Sequence, residues 1–220
     1  MIENAVLVAL VALVPLVVLT LTSFVKVSVV LSLLRNAIGT PDAPSGLVVT
    51  GLALVLTFFV MAPVAVDMLH AAATPGAAAS PSSDVDAALH ALVPAQYQGQ
   101  LDAAERAIEP LRAFLGKHAS PKDRDTFVEL AKHLGHSVRG DELWVLAPAF
   151  ITTELREAFA IAILIFIPFL VIDLVVALGL ASLGLATTSP QTVALPFKLL
   201  LFVAVDGWRM LLDALLRGYA

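Results

Sequence analysis

Lys26, Asp173, Lys198 and Asp206 are ionisable residues set in otherwise apolar sequence. An ionised side chain facing hydrocarbon costs roughly 2.5–3.5 kcal/mol on insertion scales, so each is expected to face protein or water instead. Two kinds of chemistry follow. The charges could form ion pairs within one helical bundle, or they could make polar contacts between subunits or along a water-filled path. Lys198 and Asp206 are eight positions apart, about 12 Å along a helix, too far for a direct pair. Each therefore needs a partner elsewhere: Asp173 or Lys26 within the chain, or a neighbouring subunit. Arg35 and Glu154 join this group of candidate buried or inter-subunit charges. Lys26 and Arg35 are nine positions apart and lie on opposite faces of a helix, so one lipid-facing stripe does not avoid both. Arg35, near a helix end, can snorkel to water; Lys26 needs a partner or an aqueous surface.

Other chemistry finds little support. His133 and His136 are three apart, with His118 and His90 elsewhere in the same segment, but no HExxH or comparable ligand spacing accompanies them. Solvated surface histidines are the expectation, with no metal and no cofactor. Ser28, Ser32, Thr152 and Thr153 show no nucleophile–base pattern and read as helix caps or backbone hydrogen-bonders. There is no Gly-rich phosphate loop and no acidic metal pair for nucleotide chemistry. The chain is not expected to be an enzyme.

The elements that must position these charges are set by composition. Hydrophobic residues make up 59% of the 220 residues and charged residues 14%, with a mean hydropathy of +0.92, outside the range of soluble domains. An all-α membrane protein is the expected class. Length allows about four membrane helices and one small polar domain. The formal net charge is −5 without a basic run, which gives no reason to expect nucleic acid. The absence of cysteine excludes disulfides and thiol chemistry. Met1-Ile2-Glu3-Asn4 has no basic n-region, so the first apolar segment is expected to be retained.

Three segments follow along the chain. Residues 1–70 carry apolar helices at about 5–35 and 47–68; Leu47 to Val66 is free of formal charge and long enough to cover a roughly 30 Å hydrocarbon core. Residues 71–148 form a polar helical insert, expected on the periplasmic side and opened by the Ala/Pro/Ser-rich stretch Ala71 to Ser83. Within it Leu101, Ala104, Ile108, Leu111 and Leu115 make one apolar stripe, with Pro110 as a candidate kink. Ser120-Pro121 reads as an N-cap followed by proline at the first helical position, and Phe127, Leu130 and Leu134 repeat the stripe before Gly135 stops it. Residues 149–220 form a long helical hairpin with its tip near 185–190. Its first arm, Ala158 to Leu185, would run about 42 Å, longer than a bilayer core, and bend at Pro168 or protrude. Its second arm is Val193 to Leu216.

Four blocks carry a family resemblance. They are Thr22 to Gly39 (TSFVKVSVVLSLLRNAIG), Leu56 to Val64 (LTFFVMAPV), Pro148 to Phe159 (PAFITTELREAF) and Ala194 to Trp208 (ALPFKLLLFVAVDGW). Together, in this order and at this spacing, they resemble the family of the flagellar export-gate protein FliP and its injectisome counterpart SctR. The resemblance implies a subunit of the type III secretion export apparatus in the bacterial inner membrane. Five copies would combine there with two other small membrane proteins, related to FliQ/SctS and FliR/SctT, into a helical cone around a conduit for unfolded protein. It also implies kinked hairpins largely lifted out of the bilayer plane. A methionine-rich gasket loop would lie at the hairpin tip, matched here by Leu185, Ala186 and Thr187, of which only Leu185 is bulky and apolar. The segments around Lys26 and Arg35 are nearer the injectisome pattern. Two rival readings remain: a small ion-coupled transporter in which Asp173, Lys198 and Asp206 relay protons, and a membrane scaffold without a passage.

Overall fold

Residues 19–39, 45–74, 98–136, 138–185 and 187–219 are described by the computed structural model, and among them every regular element is a helix. There are seven: α1 (Phe24–Ile38), α2 (Gly46–Ala73), α3 (Gln98–His118), α4 (Pro121–His133), α5 (Leu143–Ser182), α6 (Pro190–Ala204) and α7 (Gly207–Arg217). They fall into two compact units. One comprises Phe58–Glu154 with the residues before Ser23, the other Ser23–Thr57 and Leu155–Ala220, so the boundaries lie inside α2 and inside α5. The expected connector from Ala71 to Ser83 and His90 lie wholly or largely outside the described residues.

In the unit built on Phe58–Glu154, local chemistry decides where α4 begins. Ser120 is its N-cap, accepting from the Asp123 N–H at 3.2 Å, and Pro121 occupies the first helical position, where a missing N–H costs nothing. The start of α4 is then tied to α5. Thr153 Oγ1 accepts from the Ser120 N–H at 3.0 Å and donates to Asp123 Oδ2 at 2.6 Å, all with Asp123 and Thr153 buried. Phe114 of α3 packs against Phe150 of α5 in a tilted arrangement at 5.8 Å between centroids, and Leu115, Ala131, Leu146 and Ala149 are buried in the same unit. Gly135 stops the stretch with φ +85°. The expected stripe of α4 is not core, however: Leu130 and Leu134 are exposed and the buried face carries Asp123 and Ala131.

The second unit packs α1 against the hairpin of α5, α6 and α7. Buried residues of α1 recur as Val27, Val30, Leu31, Leu34, Ala37 and Ile38, one face of a 3.6-residue period. Gly39, at φ +86°, ends the helix by returning its N–H to the Arg35 carbonyl. Helix α1 begins only after a turn at Leu21–Ser23, so the apolar stretch expected as helix over 5–35 is interrupted there. Helix α2 buries Val49, Ala53 and Thr57, spaced four apart, and exposes Leu47, Val48, Leu54 and Val55.

Two expectations for the hairpin are corrected. Helix α5 has 40 residues, about 60 Å at 1.5 Å per residue, because it starts at Leu143, ahead of Pro148. The second arm is two helices rather than one: the chain breaks at Val205–Asp206, where Asp206 takes φ +52° and α7 starts anew at Gly207. Packing requires the glycine that follows the break. A Cβ on Gly207 would overlap the Phe202 ring, which lies edge-on to Trp208 at 5.4 Å and against Phe169 of α5 at 6.4 Å. At the far end of α7, Arg217 Nε donates to Asp213 at 2.7 Å, and this bond raises the guanidinium pKa above its ordinary value.

Gly207→Ala is expected to destabilise the protein by about 1–3 kcal/mol through overpacking against Phe202. Gly179→Ala, in α5 with nothing within 4 Å of an added Cβ, should be neutral or stabilising by roughly 0.5–1 kcal/mol. Thermal unfolding in detergent distinguishes the two; equal effects would contradict the packing account.

Candidate functional site

The embedded charges come together as two ion pairs in the second unit. Lys198, on the buried stripe Ala194–Lys198–Phe202 of α6, is 4% exposed. Its Nζ lies 2.7 Å from Asp173 Oδ2 on α5 and donates to the Ala37 carbonyl at the C-terminal end of α1 at 3.0 Å. One ammonium thus neutralises a carboxylate and satisfies one of the four carbonyls that a helix end leaves open. Asp173 is 29% exposed on its side chain, while its Oδ1 atom is buried without a hydrogen-bond partner among the described residues.

Lys26, in the first turn of α1, is 1% exposed and pairs with Glu157 Oε2 of α5 at 2.7 Å. The Tyr219 ring, just beyond α7, covers the ammonium at 4.3 Å from its centroid. The two nodes lie at different levels of the hairpin, with Phe169 and Phe202 between them in sequence on both arms.

The remaining candidates are placed as follows. Glu154 is buried at 1% exposure but belongs to the other unit, at its boundary. Arg35 is half-buried and lines an apolar cleft of about 470 Å³ with Leu34, Ile38, Val48, Leu52 and Trp208. Asp206 is exposed, and its side chain makes no cap hydrogen bond to α7; the left-handed break lifts it off the buried stripe. At the hairpin tip Leu185 is 46% exposed and its N–H closes onto the Leu180 carbonyl, Thr187 is exposed, and Ala186 lies outside the described residues. Of the histidines, His133 sits 3.9 Å from Glu129 and His136 packs edge-on to Trp144, both exposed. No group of three or more metal-ligating side chains occurs among the described residues.

Sequence reasoning missed Glu157, Tyr219 and the Ala37 carbonyl. Glu157 carried a usable signal, since it stands three positions after Glu154 at the entrance to the apolar run of α5. The Ala37 carbonyl carried none, because its partner is 161 positions away.

Among the described residues the chain is all-helical, with two helices long and apolar enough to cross a bilayer, and its embedded Lys26 and Lys198 pair with its own carboxylates. The chain belongs to the FliP family, whose sequence pattern matches residues 7–215. It is 42% identical over 219 residues to Pathogenicity-related ORF2 of Xanthomonas campestris pv. glycines, covering 97% of this chain and 94% of that protein. It is 39% identical to the Hypersensitivity response secretion protein HrcR of Ralstonia nicotianae, covering 95% and 93%, and 41% identical to the Flagellar biosynthetic protein FliP of Pectobacterium carotovorum, covering 99% and 78%. The solute-transporter alternative gains no support from this family.

Removing one partner of the Lys198–Asp173 pair strands a charge in a largely buried place. Lys198→Met or Asp173→Leu alone is expected to cost about 3 kcal/mol, the low end for buried pairs because Asp173 is partly exposed. The double variant should cost clearly less than the sum of the two. Unfolding free energies in a double-mutant cycle check this; simple additivity would show that the pair does not couple.

Proposed function

We propose that this chain is a core subunit of the type III secretion export apparatus. With copies of itself and two other small membrane proteins it forms the gateway through which unfolded secreted proteins leave across the bacterial inner membrane. The observation that carries this reading is membership of the FliP family over nearly the whole chain. Relatives named for pathogenicity and for hypersensitivity-response secretion support the injectisome branch, alongside one named for flagellar biosynthesis at nearly the same identity.

The geometry supports a wall rather than a reaction centre. Both lysines are neutralised from within the unit, leaving apolar side chains to meet neighbours: Ile163, Leu164, Ile167, Leu170, Leu174 and Leu178 of α5 are all exposed. A 60 Å helix exceeds an ordinary bilayer crossing by about a factor of two, which fits a subunit held in a protein assembly. The chain supplies walls, and energy for export comes from other components.

Two experiments test this. Co-expressed with its two membrane partners, the protein should be recovered as a complex holding about five copies by native mass measurement; a stable monomer or dimer alone would count against the proposal. At the hairpin tip, a ring of Leu185 from several subunits would exclude water by hydrophobic gating. Leu185→Gly should then raise ion leakage through the assembled complex, and unchanged leakage would remove Leu185 from the constriction.

A further inference from the structure

Lys26 is the most deeply buried cation among the described residues of the second unit, yet Glu157, a carboxylate paired with it at 2.7 Å, is 50% exposed on its side chain. An ion pair with one half in solvent does not by itself exclude water from the other half. Among the described residues, a further cover lies against the ammonium. The turn after α7 brings Gly218 and Tyr219 over it, with the ring centroid 4.3 Å from Nζ. The backbone comes so close that a Cβ added at Gly218 would sit 3.2 Å from Nζ and 3.9 Å from Glu157 Oε2. The aromatic face supplies negative quadrupole to the ammonium in addition to the Glu157 carboxylate, an arrangement strengthened by desolvation.

We propose that Tyr219 is the positioning residue of the Lys26–Glu157 pair, and that the Gly218–Tyr219 turn decides whether this cation is sealed inside the subunit or presented at its surface. The ring, rather than the phenolic hydroxyl, does this, and Gly218 lets the backbone approach Nζ closely, where an added Cβ would sit 3.2 Å away. The proposal concerns one subunit's own packing and stands whether or not the export reading is correct.

Amine reactivity tests it directly. The purified, assembled complex in detergent is treated with a water-soluble acetylating ester at fixed pH, and modification of each lysine is followed by peptide mass spectrometry. Exposed Lys122 serves as the fast reference and buried Lys198, on the other ion-pair node, as the internal control. In the unaltered protein Lys26 should react far more slowly than Lys122. Tyr219→Ala should raise Lys26 modification about fivefold or more, the opening expected from losing a partly desolvated cation–ring contact. Tyr219→Phe should restore protection, whereas Tyr219→Leu, apolar but smaller and without the ring quadrupole, should not. Lys198 should stay protected in every variant. The proposal is overturned if Lys26 reacts like Lys122 in the unaltered protein, if Tyr219→Ala changes it by less than twofold, or if Tyr219→Leu protects as well as Tyr219→Phe. It is equally overturned if Lys198 is unmasked together with Lys26 in the Ala and Leu variants, since Tyr219 would then hold the whole unit rather than one charge.

Discussion

The ammonium of Lys198 is where three helices of the second unit meet. It belongs to α6, neutralises Asp173 on α5 and donates to the last turn of α1 through the Ala37 carbonyl. A cation alone in that position would face a desolvation cost of several kcal/mol, and Coulomb attraction offsets it only when the geometry is good and the remaining donors are used. Here the pair is short and a second donor is used, so the charge sets the register of the hairpin instead of opposing burial. Phe169 against Phe202 continues that register one turn along both arms. Seating Phe202 in the core also places its ring where only a glycine at 207 leaves room, directly after the left-handed Asp206.

Features fixed by neighbours in sequence were legible from the residues. The Ser120–Pro121 start of α4 and the Gly135 stop depend on groups within a few positions, and both occur where local chemistry puts them. Helical class and the overlong hairpin arm were legible for the same reason: a long apolar run reads alike in a sequence and in a fold, even with Pro168 inside it. The embedded lysines could be recognised as needing partners, since their cost in an apolar setting is a property of the residue.

What was not legible depended on contacts between distant segments. Periodicity reported a stripe at Leu130 and Leu134 but not what the stripe faces, and both are exposed in this chain. The apolar run of α5 looks the same whether its helix starts before or after Pro148, so its length was underestimated. Asp206 resembled Lys198 as a charge in greasy sequence, yet one is buried and paired while the other stands at a left-handed break. Glu157, half-exposed and ordinary in composition, proves to be the counter-ion of the most buried lysine.

Charge neutralisation inside each subunit gives the export-gate proposal its physical content. A wall element that already satisfies its cations can present apolar helix faces to copies and partners without exporting unpaired charge into the interfaces or the conduit. The direct measurement is a density map of the assembled, partner-bound complex with side chains visible. The account predicts Lys198 within hydrogen-bond distance of Asp173, and Lys26 within that distance of Glu157, on the same polypeptide in every copy. Either lysine paired instead with a carboxylate of a neighbouring subunit would contradict it.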